Sequence, residues 1–248
     1  MKKKCAVFTI VKDEKFFLPI WLKHYKKYFS NEDIYILDHQ SSDGSTENLD
    51  VNVQVVTNQV TFDHHWLLSV VKYYQRELLK KYEAVLFVEV DEIVYSIENP
   101  LSETIEEFIK SGLEYVTCNG HEVYHRFDVE PSLIDGENIL ANRNWWFYSN
   151  AYDKTLLSKV PIQWYTGFHQ ESQPKYRKAD LYLLHLHRLD WEVLTKRHEE
   201  RASWKKSMDG LGDYNKVSER EKVLEWYKDI SNPLTEIEQR HKDALSHL

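Results

Sequence analysis

Apolar strand-like runs alternate with helical periodicity over the first ninety residues, and this constrains the fold more than any other feature of the chain. Residues 5–11 (CAVFTIV), 33–37 (DIYIL), 51–56 and 84–90 are short and rich in β-branched residues, as strands are. Between them, residues 14–29 carry Phe17, Ile20, Trp21, His24, Tyr25 and Tyr28 at helical spacing, and residues 66–82 carry Leu67, Val70, Val71, Tyr74, Leu78 and Leu79. The segment HQSSDGSTENL is dense in turn formers and reads as a loop. Alternation of this kind predicts βαβ units, hence an α/β fold built on a mixed, mainly parallel sheet flanked by helices.

Ligands of such sheets bind beyond the carboxyl ends of the strands. Lys12, Asp13 and Glu14 fall at one such end, Asp38 at another, and Glu89, Asp91 and Glu92 at a third. Three polar clusters therefore converge on one edge. In LFVEVDEIV three acids follow an apolar run, and buried carboxylates are costly unless something positive meets them. On a continuous strand Glu89 and Asp91, two apart, face the same side and can share one ion. Their hard oxygens suit Mg²⁺ or Mn²⁺.

Further on, residues 103–109 read as a helix and residues 115–119 and 122–127 as strands separated by a turn at Gly120. Residues 131–161 read as irregular and rich in aromatics. Residues 180–187 (DLYLLHLH) form a late strand, on which Leu184 and Leu186 oppose His185 and His187. One imidazole of that pair completes a metal shell and the other bonds a phosphate, or both are satisfied core histidines. His169 and Glu171 follow Gly167, which permits close approach to a ligand. Lys72 and Arg76 extend from their helix toward phosphate oxygens or simply face water. From Asp190 the chain turns helical and strongly charged, with a capping-box pattern at Ser218 and a helix start at Asn232-Pro233. We expect residues 1–189 to form the main domain and residues 190–248 a C-terminal helical extension packed on it.

The balance of 32 basic and 40 acidic residues, net −8, argues against nucleic acid as a partner. Two cysteines without a motif fit a reducing, cytoplasmic setting. No run approaches the ~20 apolar residues of a membrane span, while Lys2, Lys3 and Lys4 leave room for peripheral membrane contact.

The ordered set VKDE…LPIWLKHY…IYILDHQSSDGST…VLFVEVDEIV resembles the family 2 glycosyltransferases of the glycosyltransferase-A fold. The match covers residues 5–95, with patches at 167–169 and 184–188. The resemblance implies an enzyme that moves a sugar from a UDP- or GDP-linked donor to a glycan, lipid-linked or protein acceptor. It further implies inversion, and a role in glycan or surface polysaccharide synthesis. It implies Mn²⁺ or Mg²⁺ held by Asp91 with His185 or His187, and a nucleotide contact from Asp38; Lys12, Glu14, Lys72 and Glu89 are further candidates for donor contacts. Catalytic candidates are Glu122, His169 and Glu171, the acids serving as general base. The chain departs from the family pattern at Glu89, where the metal motif has Asp, and at Asp13, where Asn is usual. Aromatics such as Trp145, Trp146, Trp164 and Tyr165 are candidates for stacking on an acceptor sugar. Two other readings use the same residues: a non-catalytic sugar- or protein-binding module on this scaffold, and a two-metal hydrolase.

Overall fold

The computed structural model describes residues 2–58, 63–133, 139–204, 217, 219–230 and 232–248. Its first half runs β1 (Lys3–Val11), α1 (Phe17–Tyr25), β2 (Ile34–Asp38), β3 (Asn52–Val55), α2 (His64–Lys81), β4 (Tyr82–Phe87), β5 (Glu92–Ser96) and α3 (Leu101–Lys110). The second half runs β6 (Tyr115–Val123), β7 (Trp145–Tyr148), β8 (Thr155–Ser158), β9 (Arg177–His185), α4 (Trp191–Ala202), α5 (Arg220–Lys228), β10 (Thr235–Glu236) and α6 (Gln239–Ala244).

β1 lies between β2 and β4, parallel to both, and β3 continues the parallel row beyond β2. β8 then pairs antiparallel with β4 and joins β6 and β7 to the sheet, while β9 runs parallel to β6 and antiparallel to β5. The fold is the α/β arrangement expected, a mixed sheet flanked by helices. β1 is apolar on both faces because it is covered on both: Ala6, Val7 and Phe8 are wholly buried. α1 buries Phe17, Leu18, Trp21, Leu22 and Tyr25, the stripe that a 3.6-residue period predicts. Among the described residues no helix is long and apolar enough to cross a membrane, and Cys5 and Cys118 are buried and free.

Several boundaries differ from those the sequence suggests. α1 is shorter than residues 14–29, because Asp13 takes a left-handed conformation (φ 53°) and the chain tightens into turns after Tyr25. β4 stops at Phe87 rather than running on to Val90, since Glu92 folds back and accepts a hydrogen bond from the Glu89 amide at 3.0 Å, closing a turn. Gly120 is no turn. It lies within β6, where an added Cβ would overlap the Tyr152 backbone. The stretch read as irregular contains β7 and β8, four residues each, too short to display a strand's period. Asn232-Pro233 opens no helix, since β10 follows. Ser218 lies outside the described residues.

Candidate functional site

Beyond the carboxyl ends of β1 and β4 lies a cavity of about 300 Å³. Lys12, Glu14, Glu89, Asp91, His169, His185 and His187 line it, joined by His39, Tyr152, Arg197, Arg201, Trp204 and Trp226. Loops hold its rim: the Ser42 amide donates to Asp13 Oδ1 at 2.6 Å and the Lys12 ammonium to the Gln40 carbonyl at 2.7 Å.

The acids of LFVEVDEIV meet cations supplied by the chain itself. Lys154, wholly buried, sits 2.5 Å from both Glu89 and Glu92. Asp91 Oδ2 lies 2.5 Å from Arg197 Nη1. Glu14 Oε1 receives Arg197 at 2.6 Å and Arg201 at 2.9 Å. The arrangement corrects the expectation that Glu89 and Asp91 share one ion, because the turn after β4 sends them to different partners. Burial opposes ionisation of Glu89 and Asp91, but the charges of Lys154 and Arg197 outweigh it and hold both carboxyls low, Asp91 far below the usual range. For Glu92 burial prevails over Lys154 and the pKa rises.

The two late histidines differ. His185 Nδ1 lies 2.7 Å from Glu122 Oε2, whose other oxygen accepts from the Arg188 amide at 2.9 Å. Its ring stacks on Tyr152, centroids 4.2 Å apart. Burial disfavours its charge, yet Glu122, Asp91 and Glu92 outweigh that and raise its pKa. His187 is pushed down to about 3 by burial and by the neighbouring Arg197. Its Nδ1 is 3.2 Å from Arg197 Nη1 and 3.5 Å from Asp91 Oδ2. A guanidinium can only donate, so the ring accepts at Nδ1 and carries its proton on Nε2, which is buried without a hydrogen-bond partner among the described residues. His169 Nδ1 lies 3.0 Å from the Ala151 carbonyl, and burial with nearby Lys154 lowers its pKa to about 4.

Four expected residues stand off the cavity. Asp38 is buried and shapes the following loop, accepting from the Ser41 amide at 2.9 Å and the Thr46 hydroxyl at 3.2 Å. Glu122 is wholly buried behind His185. Glu171 accepts from the Thr155 hydroxyl at 2.7 Å. Lys72 is half-buried on α2, outside the lining. Trp146 and Trp164 are core residues, Trp145 and Tyr165 lie outside the lining, and the tryptophans on the wall are Trp204 and Trp226 among the described residues.

Among the described residues no three His, Cys, Asp or Glu side chains converge as a ligand set. Asp91 and His187 converge instead on one guanidinium nitrogen. Their chemistry, a carboxylate with an imidazole that accepts at Nδ1, suits a Mn²⁺-like ion. The residues fit a cation at the position that Arg197 Nη1 fills.

Sequence reading missed Arg197, Arg201 and Lys154. A signal existed for the first: Arg197 and His198 lie among Trp191, Leu194 and Thr195 on the buried face of α4.

No family model matches the chain, and no curated protein does. Among solved structures it resembles a mannosyltransferase of Pyrobaculum calidifontis in complex with GDP-Man and Mn²⁺, at 14% identity and a TM-score of 0.33 over 52% of this chain. The match spans 37% of that protein's length. A mannose-1-phosphate geranyltransferase of Thermus thermophilus is also similar, at 11% identity and a TM-score of 0.35, over 93% of this chain and 69% of that one.

Proposed function

We propose that the protein is a glycosyltransferase that moves a sugar from a UDP- or GDP-linked donor to the hydroxyl of a glycan, lipid-linked or protein acceptor, with inversion. The observation that carries this reading is the cavity itself. It opens where ligands of parallel sheets bind, and Lys12, Arg197 and Arg201 line it together with Asp91 and His187. Asp91 and His187 would hold a divalent ion, whose chemistry is to neutralise charge on a departing diphosphate.

The chain's own residues supply the remaining tasks. Lys12, Arg197 and Arg201 receive phosphate oxygens, and Trp204 and Trp226 offer apolar faces to sugar rings. Glu122 is too buried to touch an acceptor, so it works through His185, fixing Nδ1 and leaving Nε2 to take the acceptor's proton. His169, neutral at pH 7, is the second proton acceptor on the wall. Glu171 has no place in this scheme, being held by Thr155. A role in surface polysaccharide or other glycan synthesis, beside a membrane or free of it, is part of the same reading.

A thermal-shift screen of UDP- and GDP-sugars, with and without Mn²⁺, tests it, because a specific ligand raises the melting temperature by mass action. The reading expects a hit, followed by release of the nucleoside diphosphate. A screen without hits would remove it, and binding without turnover would leave only a sugar-binding module.

A further inference from the structure

Arg197 holds an unusual position. Its Nη1 has Asp91 Oδ2 at 2.5 Å and His187 Nδ1 at 3.2 Å. Its Nε and Nη2 both donate to Glu14 Oε1, at 3.2 and 2.6 Å. The guanidinium carbon lies 4.5 Å from the centre of the Phe17 ring, which closes one face. Arg197 is buried and so are Asp91, Glu14 and His187. One nitrogen therefore stands between an oxygen donor and a nitrogen donor, the place a metal ion takes between carboxylate and imidazole.

The charges of the cavity wall bear on what can enter. Among the described residues of the wall, Lys12, Arg197 and Arg201 face Glu14, Glu89 and Asp91, three against three. A nucleoside diphosphate brings several negative charges and meets no net positive wall to attract it. A divalent cation arriving alone finds Asp91 already matched. The two together resolve both difficulties. The cation takes the position on Asp91 and His187, and the guanidinium turns to phosphate oxygens, which its planar fork fits. Every buried charge keeps a partner throughout, as it must.

We propose that Arg197 is the donor-phosphate residue of this site, released to that role when a divalent cation replaces it on Asp91. This rests on the glycosyltransferase reading and names the residue whose exchange makes that site work. Cation and nucleotide then tighten each other's binding by an equal factor, since coupling between two sites is reciprocal.

Calorimetry with MnCl₂, GDP and UDP on the full chain tests the exchange. For the native protein, Mn²⁺ alone and either nucleotide in EDTA bind at least tenfold more weakly than the nucleotide does under saturating Mn²⁺. Arg197→Gln raises affinity for Mn²⁺ alone at least tenfold and lowers affinity for the nucleotide with Mn²⁺ by as much. Asp91→Asn acts in the opposite sense: it strengthens nucleotide binding in EDTA and abolishes the Mn²⁺ enhancement. If Arg197→Gln does not melt cooperatively, Arg197→Lys replaces it, with a smaller gain for Mn²⁺ because the charge remains.

Equal nucleotide binding with and without Mn²⁺ in the native protein overturns the exchange while leaving the glycosyltransferase reading intact. An unchanged Mn²⁺ affinity on loss of the guanidinium does the same. Failure of the native protein to bind GDP or UDP under any condition overturns the reading and the exchange with it.

Discussion

Asp91 Oδ2 and Arg197 Nη1 lie 2.5 Å apart, both side chains buried, although 106 residues separate them in the chain. The pair ties the turn after β4 to α4, so the late helical segment contributes directly to the wall of the cavity. Lys154 does the same from the segment between β7 and β8, meeting Glu89 and Glu92. Asp91 and Glu92 are each buried with a distant cation, and Glu89, whose side chain is 33% exposed, shares Lys154 with Glu92.

Lys154→Ala would leave two carboxylates facing each other without a counterion. Removing one partner of a buried pair costs about 3–5 kcal/mol, which lowers the Tm by roughly 10 °C in a chain of this size. Glu92 is wholly buried and cannot turn to water. The double variant Lys154→Met/Glu92→Leu recovers part of the loss: it replaces the wholly buried pair by apolar groups, while Glu89 keeps its charge but, with a side chain 33% exposed, reaches water. Thermal unfolding of the three proteins decides, and a single variant as stable as the native chain would contradict the assigned pairing.

The parallel half of the sheet was legible because β1, β2 and β4 are largely apolar runs and its helices keep a 3.6-residue stripe, as in α2 with Val71, Leu78 and Leu79 buried. Strand-end polarity then located Lys12, Glu14, Asp91, His185 and His187 around one cavity. The cations escaped notice for a physical reason. Lysine and arginine ordinarily face water, and nothing local to Lys154 or Arg197 tells which distant acid will meet it. The end of β4 was hidden similarly, because a side chain three residues on, Glu92, closes the turn. β7 and β8 were hidden by their length.

Gly120→Ala tests the approach that positions Tyr152. A Cβ at residue 120 overlaps the backbone carbonyl of Tyr152, and backbone cannot rotate away as a side-chain tip can. Overpacking of this kind costs about 1–3 kcal/mol. It also shifts Tyr152 from its stack on His185, so both Tm and nucleotide affinity fall. Unchanged melting would mean that the segment yields freely.

His24 sets part of the acid limit of stability. It is wholly buried, with Nε2 2.9 Å from the Val94 carbonyl and Nδ1 2.9 Å from His247 Nε2. Burial, with His247 and Lys27 nearby, drives its pKa to about 3. In the unfolded chain a histidine titrates near ~6.5, so between these values the unfolded state binds one more proton. Stability is therefore present above pH ~6.5 and declines as pH falls, by about 1.4 kcal/mol per pH unit for this residue. Denaturant unfolding between pH 7 and 4 should show a shallower decline for His24→Gln by about that slope, whatever its stability at pH 7. Parallel slopes would show that His24 is charged in the fold.

Glu122→Gln separates a proton-handling role from a structural one. The native carboxylate, lowered to about 2 because His185 and Arg188 outweigh its burial, accepts from His185 Nδ1 and the Arg188 amide at once. Glutamine keeps the shape, but its single oxygen serves one of those donors. His185 then loses the anion that fixes its tautomer and raises its pKa. Glu122 lies outside the cavity lining, so nucleotide affinity should hold within about twofold, while turnover of the donor found by screening falls by about 10²–10⁴, the range of general acid–base catalysis. The pH profile should also lose the limb governed by His185. Turnover that survives with an unaltered profile would leave Glu122 a structural partner of His185 and move the proton acceptor to His169, another imidazole on the wall, where His169→Gln becomes the variant to measure.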